Sequence, residues 1–281
     1  MTRLQTIVAP GSVAVITAAA KGIGAAIARD LDARGMTLAL MDRDAAGLAD
    51  LAGSLRTEAI TLVGDVALAE DCEAMHEVVI DRFGVPQLLI NNAGMMRRPG
   101  PWDAPEDWQE VWDVNFTSAL RMQHLFVPDM IAAEGPGAIV NLGSKEGITT
   151  SPGHAAYSVA KAGIKVLTEQ LEHELRTTTQ GRVSAHLLVP GYTYTPMNFP
   201  DAQPGEAKPD APWSAEQMVG YFMARFLNGD FYILCPDNEV TPAMDAKRIR
   251  WAAEDMIQNR PALSRWHPDW AEAFADYVAG D

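Results

Sequence analysis

Short apolar runs that alternate with helical patterns limit the possible folds of this chain more than any other feature of its sequence. The runs are four to eight residues long and are typical of buried strands. They are Val13–Thr17, Thr37–Met41, Ala59–Gly64, Gln87–Ile90, Gly137–Leu142, Arg182–Val189 and Phe231–Leu234. The alternation predicts an α/β fold with a doubly wound, parallel, seven-stranded sheet, helices on both faces, and a ligand site at the carboxyl ends of the strands.

A turn that contains glycines joins the first strand to the first helix. Residues 17–24 read TAAAKGIG, and from Ile23 onward apolar residues recur at every fourth position, as in an amphipathic helix. Such a turn directs backbone N–H groups and the positive end of the helix dipole towards a pyrophosphate. Tight turns also use glycine for steric reasons alone, so the turn by itself is a weak indication of phosphate binding.

Asp42 ends the second strand, where a dinucleotide fold binds the adenosine ribose hydroxyls. A carboxylate there repels a 2′-phosphate, so the sequence predicts NAD as the cofactor. Arg43 follows directly and keeps NADP as an alternative, because an arginine can accommodate that phosphate. A solvated turn at the end of the strand, with no cofactor bound, would also account for Asp42 and Arg43.

A hydroxyl, a phenol and an ammonium group follow the fifth strand. Ser144 comes soon after Gly137–Leu142, and Tyr157 and Lys161 are four positions apart, on one face of a helix. The ordinary pKa of tyrosine is about 10, and a nearby positive charge lowers it. We therefore expect Lys161 to lower the pKa of Tyr157, which transfers a proton while Ser144 holds the substrate oxygen. Taken alone, a core tyrosine beside a solvated lysine explains this pattern better.

The motifs together, in their order along the chain, resemble those of the short-chain dehydrogenases/reductases from about Val13 to Thr195. The resemblance implies a Rossmann-type fold and a catalytic tetrad of Asn115, Ser144, Tyr157 and Lys161. It also implies that Asn115 kinks its helix and holds a water that connects Lys161 to solvent. The residues implied to bind the cofactor are Thr17, Lys21, Gly22, Ile23, Gly24, Asp42, Asp65, Val66, Asn92, Ala93, Gly94, Tyr157, Lys161, Pro190, Gly191 and Thr193.

One residue departs from the coenzyme turn of that family. Ala18 stands where the family usually has glycine. With a positive φ, its Cβ would cost on the order of 1 kcal/mol, whereas a negative φ accommodates alanine. We expect a negative φ and retained cofactor binding.

Two segments after the sixth strand are expected to shape the substrate site. Residues 192–228 form a predicted substrate lid, because a long irregular connection in a compact domain is usually functional. Residues 236–281 form a predicted helical extension with helices at Pro242–Asn259 and Pro268–Val278, which packs over its own lid or a neighbouring subunit. The predicted substrate-binding residues are Ser144, His154, Tyr157 and Tyr192. Aromatic residues in both segments indicate a bulky apolar or aromatic alcohol, although packing alone would also explain them.

Composition limits the classes of partner. A chain of 281 residues with 48% hydrophobic residues can form one large domain, which we predict over residues 1–281. A formal charge of −15 argues against nucleic acid and anionic membranes as partners. The two cysteines lie far apart, and neither they nor the histidines have the spacing of metal ligands. We expect a cytoplasmic protein.

These observations predict an NAD-dependent oxidoreductase that interconverts a secondary alcohol and a ketone, with Tyr157 as general acid/base. By resemblance, the helical segments Pro105–Ala133 and Ala155–Thr178 pair in a homodimer or homotetramer. The first alternative is an NADP-dependent carbonyl reductase. The second is a nucleotide-sensing or scaffold protein on the same fold, which the presence of all four catalytic residue types disfavours.

Overall fold

The structure is a computed structural model that describes residues 2–203 and 206–280. Residues 204–205 of the predicted lid, Asp281 of the predicted extension and Met1 lie outside the described residues. The strands are β1 (Val13–Thr17), β2 (Thr37–Asp42), β3 (Ala59–Val63), β4 (Leu88–Asn91), β5 (Gly137–Leu142), β6 (Val183–Val189), β7 (Thr193–Tyr194), β8 (Trp213–Ser214) and β9 (Tyr232–Leu234).

The helices surround the sheet and form the C-terminal extension. They are α1 (Arg3–Ile7), α2 (Gly22–Ala33), α3 (Ala45–Ser54), α4 (Ala69–Phe83), α5 (Pro105–Trp112), a π-helical turn (Asp113–Thr117), α6 (Ser118–Ala132), α7 (Glu146–Thr149), α8 (Ala155–Thr179), α9 (Ala215–Asn228), α10 (Pro242–Ile257), 3₁₀ turns at Ser264–Trp266 and Pro268–Trp270, and α11 (Ala271–Ala279).

Seven parallel strands form one sheet in the order β3-β2-β1-β4-β5-β6-β9, which confirms the predicted doubly wound fold. Strand β1 lies at the point where the strand order reverses. Its residue Val15 pairs with Ala39 of β2 on one side and with Leu89 of β4 on the other. Connections leave β1 and β4 towards opposite faces, so a crevice opens at the carboxyl ends of these two strands.

Both faces of the sheet are covered, which explains why the central strands are apolar throughout. All five residues of β1 are buried. Because successive side chains alternate between faces, Ile16 packs into the core formed with α2 and α9, whereas Val15 packs into the core formed with α4 and α6. Two apolar layers therefore hold the sheet between them.

The predicted helix over Pro105–Ala133 is interrupted at its middle. The π-helical turn Asp113–Thr117 separates α5 from α6. At this turn the Asn115 side chain donates from Nδ2 to the Val111 carbonyl at 2.9 Å and to the Met95 carbonyl at 3.0 Å. Its Oδ1 accepts from the Met95 amide at 3.1 Å. Such local widening of a helix frequently accompanies functional sites.

The predicted C-terminal extension is present, and it has an apolar core of its own. Trp251 is 6% exposed, and its Nε1 donates to Ser264 Oγ at 2.7 Å. The guanidinium of Arg260 lies 4.4 Å from the Trp251 ring and 5.1 Å from that of Trp270. Helix α10 also packs against α7, next to the candidate active site.

Helix α1, at the start of the chain, was not expected from the sequence. Helix α1 is five residues long and buries Leu4 and Ile7. Five residues are too few to show a helical period, and the sequence signal here is only a capping pair, in which Thr2 and Gln5 bond each other's backbone.

Candidate active site

The turn after β1 is fastened to the end of β4 by hydrogen bonds. Thr17 Oγ1 accepts from the backbone amides of Asn92 at 3.1 Å and Ala93 at 3.2 Å. In return, Asn92 Nδ2 donates to the carbonyls of Thr17 and Ala18, both at 3.0 Å. A Cβ on Gly24 would lie 2.2 Å from the Ala18 carbonyl oxygen, so α2 approaches the turn closely enough to require glycine.

The expected negative φ at Ala18 is wrong. Ala18 has a φ of 51°, in the left-handed region that favours glycine. This conformation directs the Ala18 carbonyl to Asn92 and lets the Ala19 amide donate to the Met41 carbonyl at 3.1 Å. The contacts of the turn therefore impose a conformation that costs an alanine on the order of 1 kcal/mol.

The predicted adenosine site forms a pocket at the ends of β2, β3 and β4. Its lining residues include Asp42, Arg43, Asp65, Val66 and Ala93. The Asp42 carboxylate is fixed by two backbone donors, the amides of Ala20 and Asp44, both at 2.9 Å. An oriented carboxylate thus lies beside an arginine in one pocket.

A cleft of about 560 Å³ continues from this pocket across the point where the strand order reverses. The predicted site residues that line it are Lys21, Gly22, Ile23, Asp42, Asn92, Gly94, Ser144, Tyr157, Lys161, Pro190, Gly191, Tyr192 and Thr193. Thr17, Gly24 and Asn115 lie behind this surface and support it. His154 is not among the described residues that line the cleft; it immediately precedes α8, with Nδ1 3.9 Å from Glu146 Oε2.

The chemical groups of the predicted tetrad meet at one end of the cleft. Tyr157 is 7% exposed and Lys161 is 4% exposed, and the Lys161 ammonium lies 5.8 Å from the Tyr157 ring centroid. Lys161 Nζ also donates to the Leu142 carbonyl at 2.9 Å. Gly94 packs between Asn115 and Lys161, because a Cβ there would lie 3.2 Å from Asn115 Oδ1 and 3.7 Å from Lys161 Nζ.

Burial controls the ionisation of the two titratable groups. Burial raises the pKa of the Tyr157 phenol above its ordinary value; the contact with the Ser144 hydroxyl opposes this shift, and the charge of Glu146 adds to it. Burial also lowers the pKa of the Lys161 ammonium to about 8. The expected lowering of the Tyr157 pKa is therefore not found: burial is the largest cause of its shift, and Lys161 is not among the causes.

Sequence reasoning missed Asp237 as a residue of the cleft. It follows β9, lines the cleft, and accepts the Tyr192 amide on Oδ2 at 3.0 Å. Close packing holds it there, because a Cβ on Gly191 would lie 2.4 Å from the Pro236 carbonyl oxygen. Its position at the carboxyl end of a strand, shared by the other predicted residues, is the signal that could have found it.

A parallel sheet with a reversed strand order, and a glycine turn at the point of reversal, defines the dinucleotide-binding class of α/β proteins. The sequence model of the family described as "short chain dehydrogenase" matches residues 12–204. The chain belongs to the short-chain dehydrogenase family of oxidoreductases. Within the described residues, no helix combines the length and the hydropathy needed to cross a bilayer.

Known proteins resemble this chain along most of its length. An uncharacterized oxidoreductase of Staphylococcus epidermidis is 33% identical over 186 residues, which cover 66% of this chain and 79% of that protein. A short-chain dehydrogenase/reductase from Burkholderia phymatum, solved in complex with NAD, has a TM-score of 0.79 at 29% identity and covers 89% of this chain and 96% of its own. A short-chain dehydrogenase from Sphingobium yanoikuyae, solved in complex with NADPH, has a TM-score of 0.72 at 26% identity, with coverages of 88% and 94%.

Proposed function

We propose that this protein is an NAD-dependent oxidoreductase that interconverts a secondary alcohol and a ketone. The observation that carries the proposal is the convergence of Ser144, Tyr157 and Lys161 at the end of a cleft that begins at the glycine turn. A phenol, a hydroxyl and an ammonium group in a buried site can bind an oxygen atom and move a proton to or from it.

Each residue of the tetrad has a separate task in this proposal. Tyr157 donates its proton to the carbonyl oxygen of a ketone, and the burial that raises its pKa keeps the phenol protonated at neutral pH. In the opposite direction, the phenol first passes its proton along the path to solvent, and the resulting phenolate of Tyr157 accepts the proton of the alcohol. Ser144 holds the substrate oxygen by a hydrogen bond. Lys161 and Asn115 lie behind Tyr157, and in this proposal they connect it to solvent so that the proton can leave or enter the site.

The cleft fits a nicotinamide dinucleotide, which when bound supplies or accepts the hydride. The solved relatives from Burkholderia phymatum and Sphingobium yanoikuyae hold NAD and NADPH. In this chain, the amides at the start of α2 would bind the pyrophosphate. Gly24, which has no side chain, lets α2 approach the turn as closely as such a site requires. The ends of β2 and β3 would hold the adenosine, and Pro190, Gly191 and Thr193 the nicotinamide.

The Asp42 carboxylate supports NAD as the cofactor. Two backbone amides orient it in the adenosine pocket, where its negative charge repels a 2′-phosphate. Arg43 lines the same pocket and favours the second candidate, an NADP-dependent reductase. Steady-state kinetics with each cofactor decides between them: we expect a lower KM for NAD, and a lower KM for NADP would contradict this assignment.

Apolar side chains in the lining of the cleft support a bulky apolar or aromatic substrate. Met96, Tyr192 and Met197 line the cleft, together with Ser144 and Tyr157. We propose Ser144, Tyr157 and Tyr192 as substrate contacts. His154 is not among the described lining residues; its Nδ1 lies 3.9 Å from Glu146, which lines the cleft, so we propose it only as a neighbour of the substrate site.

We infer further that residues 1–281 act as one oxidoreductase domain in a cytoplasmic homo-oligomer. Both cysteines are buried thiols, as a reducing compartment permits. Helix α8 exposes Val159 (47%) and Val166 (53%), which supports pairing with a second copy along this helix. We expect a dimer or tetramer by light scattering, and a monomer would contradict the pairing.

The reaction is tested by a screen of secondary alcohols with NAD, followed by the absorbance of the reduced nicotinamide. We expect turnover with bulky apolar or aromatic alcohols. Binding of NAD without turnover of any alcohol, or of any ketone in the reverse direction, would instead support a nucleotide-sensing role.

A further inference from the structure

The segment that carries Ser144 is held by unusually close contacts. Glu146 accepts from the Ser151 amide at 2.8 Å and from its hydroxyl at 2.7 Å, which closes the loop after α7. A Cβ on Gly147 would lie 2.4 Å from the carbonyl carbon of Lys161, so α7 rests directly on the backbone of α8. These contacts hold the segment on the side that faces α8.

The C-terminal extension holds the other side through Lys145, the residue next to Ser144. Lys145 Nζ lies 2.8 Å from Asp245 Oδ2 and 3.7 Å from Asp237 Oδ2. Asp245 is in the first turn of α10 and is 6% exposed, while Asp237 is 8% exposed and accepts the Tyr192 amide. One ammonium group thus connects the segment that carries Ser144, the extension and, through Asp237, the loop after β6.

This arrangement argues against a direct role for Lys145 in capturing an anionic substrate. Two carboxylates already neutralise its charge. Charges in a setting of low exposure interact more strongly than in water, and removal of one partner leaves the other buried and uncompensated. The ion pair between Lys145 and Asp245 therefore holds the segment that carries Ser144 in one position.

Two arginines of the extension, Arg248 and Arg265, also lie near Glu146 and Asp245. Burial lowers the pKa of Arg265, with the charge of Arg248 adding to the shift and those of Glu146 and Asp245 opposing it. Residues more than a hundred positions apart in sequence are thus close in space around α7.

We propose that Asp245 is a positioning residue, which through Lys145 holds the Ser144 hydroxyl where Tyr157 and the substrate oxygen require it. This inference rests on the proposed function for its catalytic consequence. A misplacement of a reacting group by about 1 Å lowers turnover on the order of 100-fold. We therefore expect a loss of about 10- to 100-fold when the pair is broken.

The first test compares Asp245→Asn, which removes the charge at nearly constant volume, with Asp276→Asn. Asp276 is an exposed carboxylate of the same extension, in α11. We expect kcat to fall about 10- to 100-fold in Asp245→Asn while the Kd of the cofactor and the circular dichroism spectrum stay unchanged. Asp276→Asn should retain the wild-type kcat. A folded Asp245→Asn variant with kcat within about twofold of wild type would overturn the proposal.

Further variants separate positioning from general destabilisation. If Asp245 acts through Lys145, the double variant Lys145→Met/Asp245→Asn should lose no more kcat than the worse single variant. Asp245→Glu, which restores the charge, should recover part of the kcat. If the kcat losses of the two single variants multiply in the double variant, the two residues act independently. That result would overturn the proposal.

Hydrogen exchange provides a readout that does not depend on turnover. In the protein without cofactor, Asp245→Asn should accelerate amide exchange in residues 144–151 and leave β1 and α2 unchanged. Unchanged exchange in residues 144–151 would refute the positioning role even if the wild type is active. Accelerated exchange in a protein that turns over no alcohol would refute only the proposed function.

Discussion

The two walls of the cleft are built in different ways. The coenzyme wall, formed by the β1–α2 turn and the ends of β2 and β4, is held by hydrogen bonds between side chains and backbone groups and by glycines that allow close approach. The catalytic wall, formed by residues 144–161, is held by buried side chains and by an ion pair to the distant α10. Contacts between neighbouring strand ends thus shape the coenzyme wall, whereas the catalytic wall also depends on an ion pair with the C-terminal extension.

The largest expected effect separates the two walls functionally. Tyr157→Phe removes the proton donor and leaves the coenzyme wall untouched. We expect kcat to fall by about 1,000-fold, with the cofactor Kd within about twofold of wild type. Stopped-flow or steady-state kinetics and a fluorescence titration of the cofactor measure the two quantities. Retained turnover would show that another group transfers the proton.

The next variant is directed at the coenzyme wall alone. In Gly24→Ala the new Cβ would lie 2.2 Å from the Ala18 carbonyl oxygen and 2.7 Å from Asn92 Nδ2. We expect a loss of about 1–3 kcal/mol in the free energy of unfolding and weaker cofactor binding. Gly53→Ala is the matched control, because a Cβ at this position of α3 would meet no described atom within 4 Å other than its chain neighbours and the backbone of its own helix. Unfolding in urea and calorimetric titration of the cofactor check both variants, and normal cofactor affinity in Gly24→Ala would remove the distinction between the walls.

A third experiment uses the buried lysine of the catalytic wall. The pKa of Lys161 falls from 10.5 to about 8 in the folded state, so between these values the unfolded chain binds more protons than the native state. The contribution of Lys161 to the free energy of unfolding is fully present above pH 10.5 and is lost as the pH falls to about 8.

The comparison of wild type with Lys161→Met isolates this contribution from those of other groups. Between pH 7.5 and 9.5 we expect wild type to gain about 2 kcal/mol relative to the variant. Urea unfolding of both proteins at the two pH values measures this change. A constant difference would mean that burial does not shift the pKa of Lys161.

The smallest effect concerns the strained alanine of the coenzyme wall. Because Ala18 has a φ of 51°, Ala18→Gly should raise the free energy of unfolding by about 0.5–1 kcal/mol. Thermal and urea unfolding are sensitive enough to detect this gain. A destabilised Ala18→Gly variant would indicate that the methyl group packs favourably enough to offset the strain.

Much of the fold follows from local sequence patterns. The apolar runs predict the seven strands of the main sheet to within a few residues, because a strand buried on both faces must be apolar throughout. Ser214 predicts the start of α9 as a residue type typical of helix N-caps, and in the structure Gln217 completes a capping box with it. The π-helical turn at Asn115 and the 3₁₀ turns of the extension are not visible in a period, because each depends on where a single side chain finds a partner.

The sequence by itself determined the order of strands and helices, the glycine turn and the candidate residues at the carboxyl ends of the strands. These follow from periodicity and from the parallel arrangement, which act over short stretches of chain. Only the tertiary structure decided the positive φ of Ala18, the direction of the pKa shift of Tyr157 and the pairing of Lys145 with Asp245. The physical reason is that strain, desolvation and ion pairing depend on which distant groups surround a residue, and packing alone decides those neighbours.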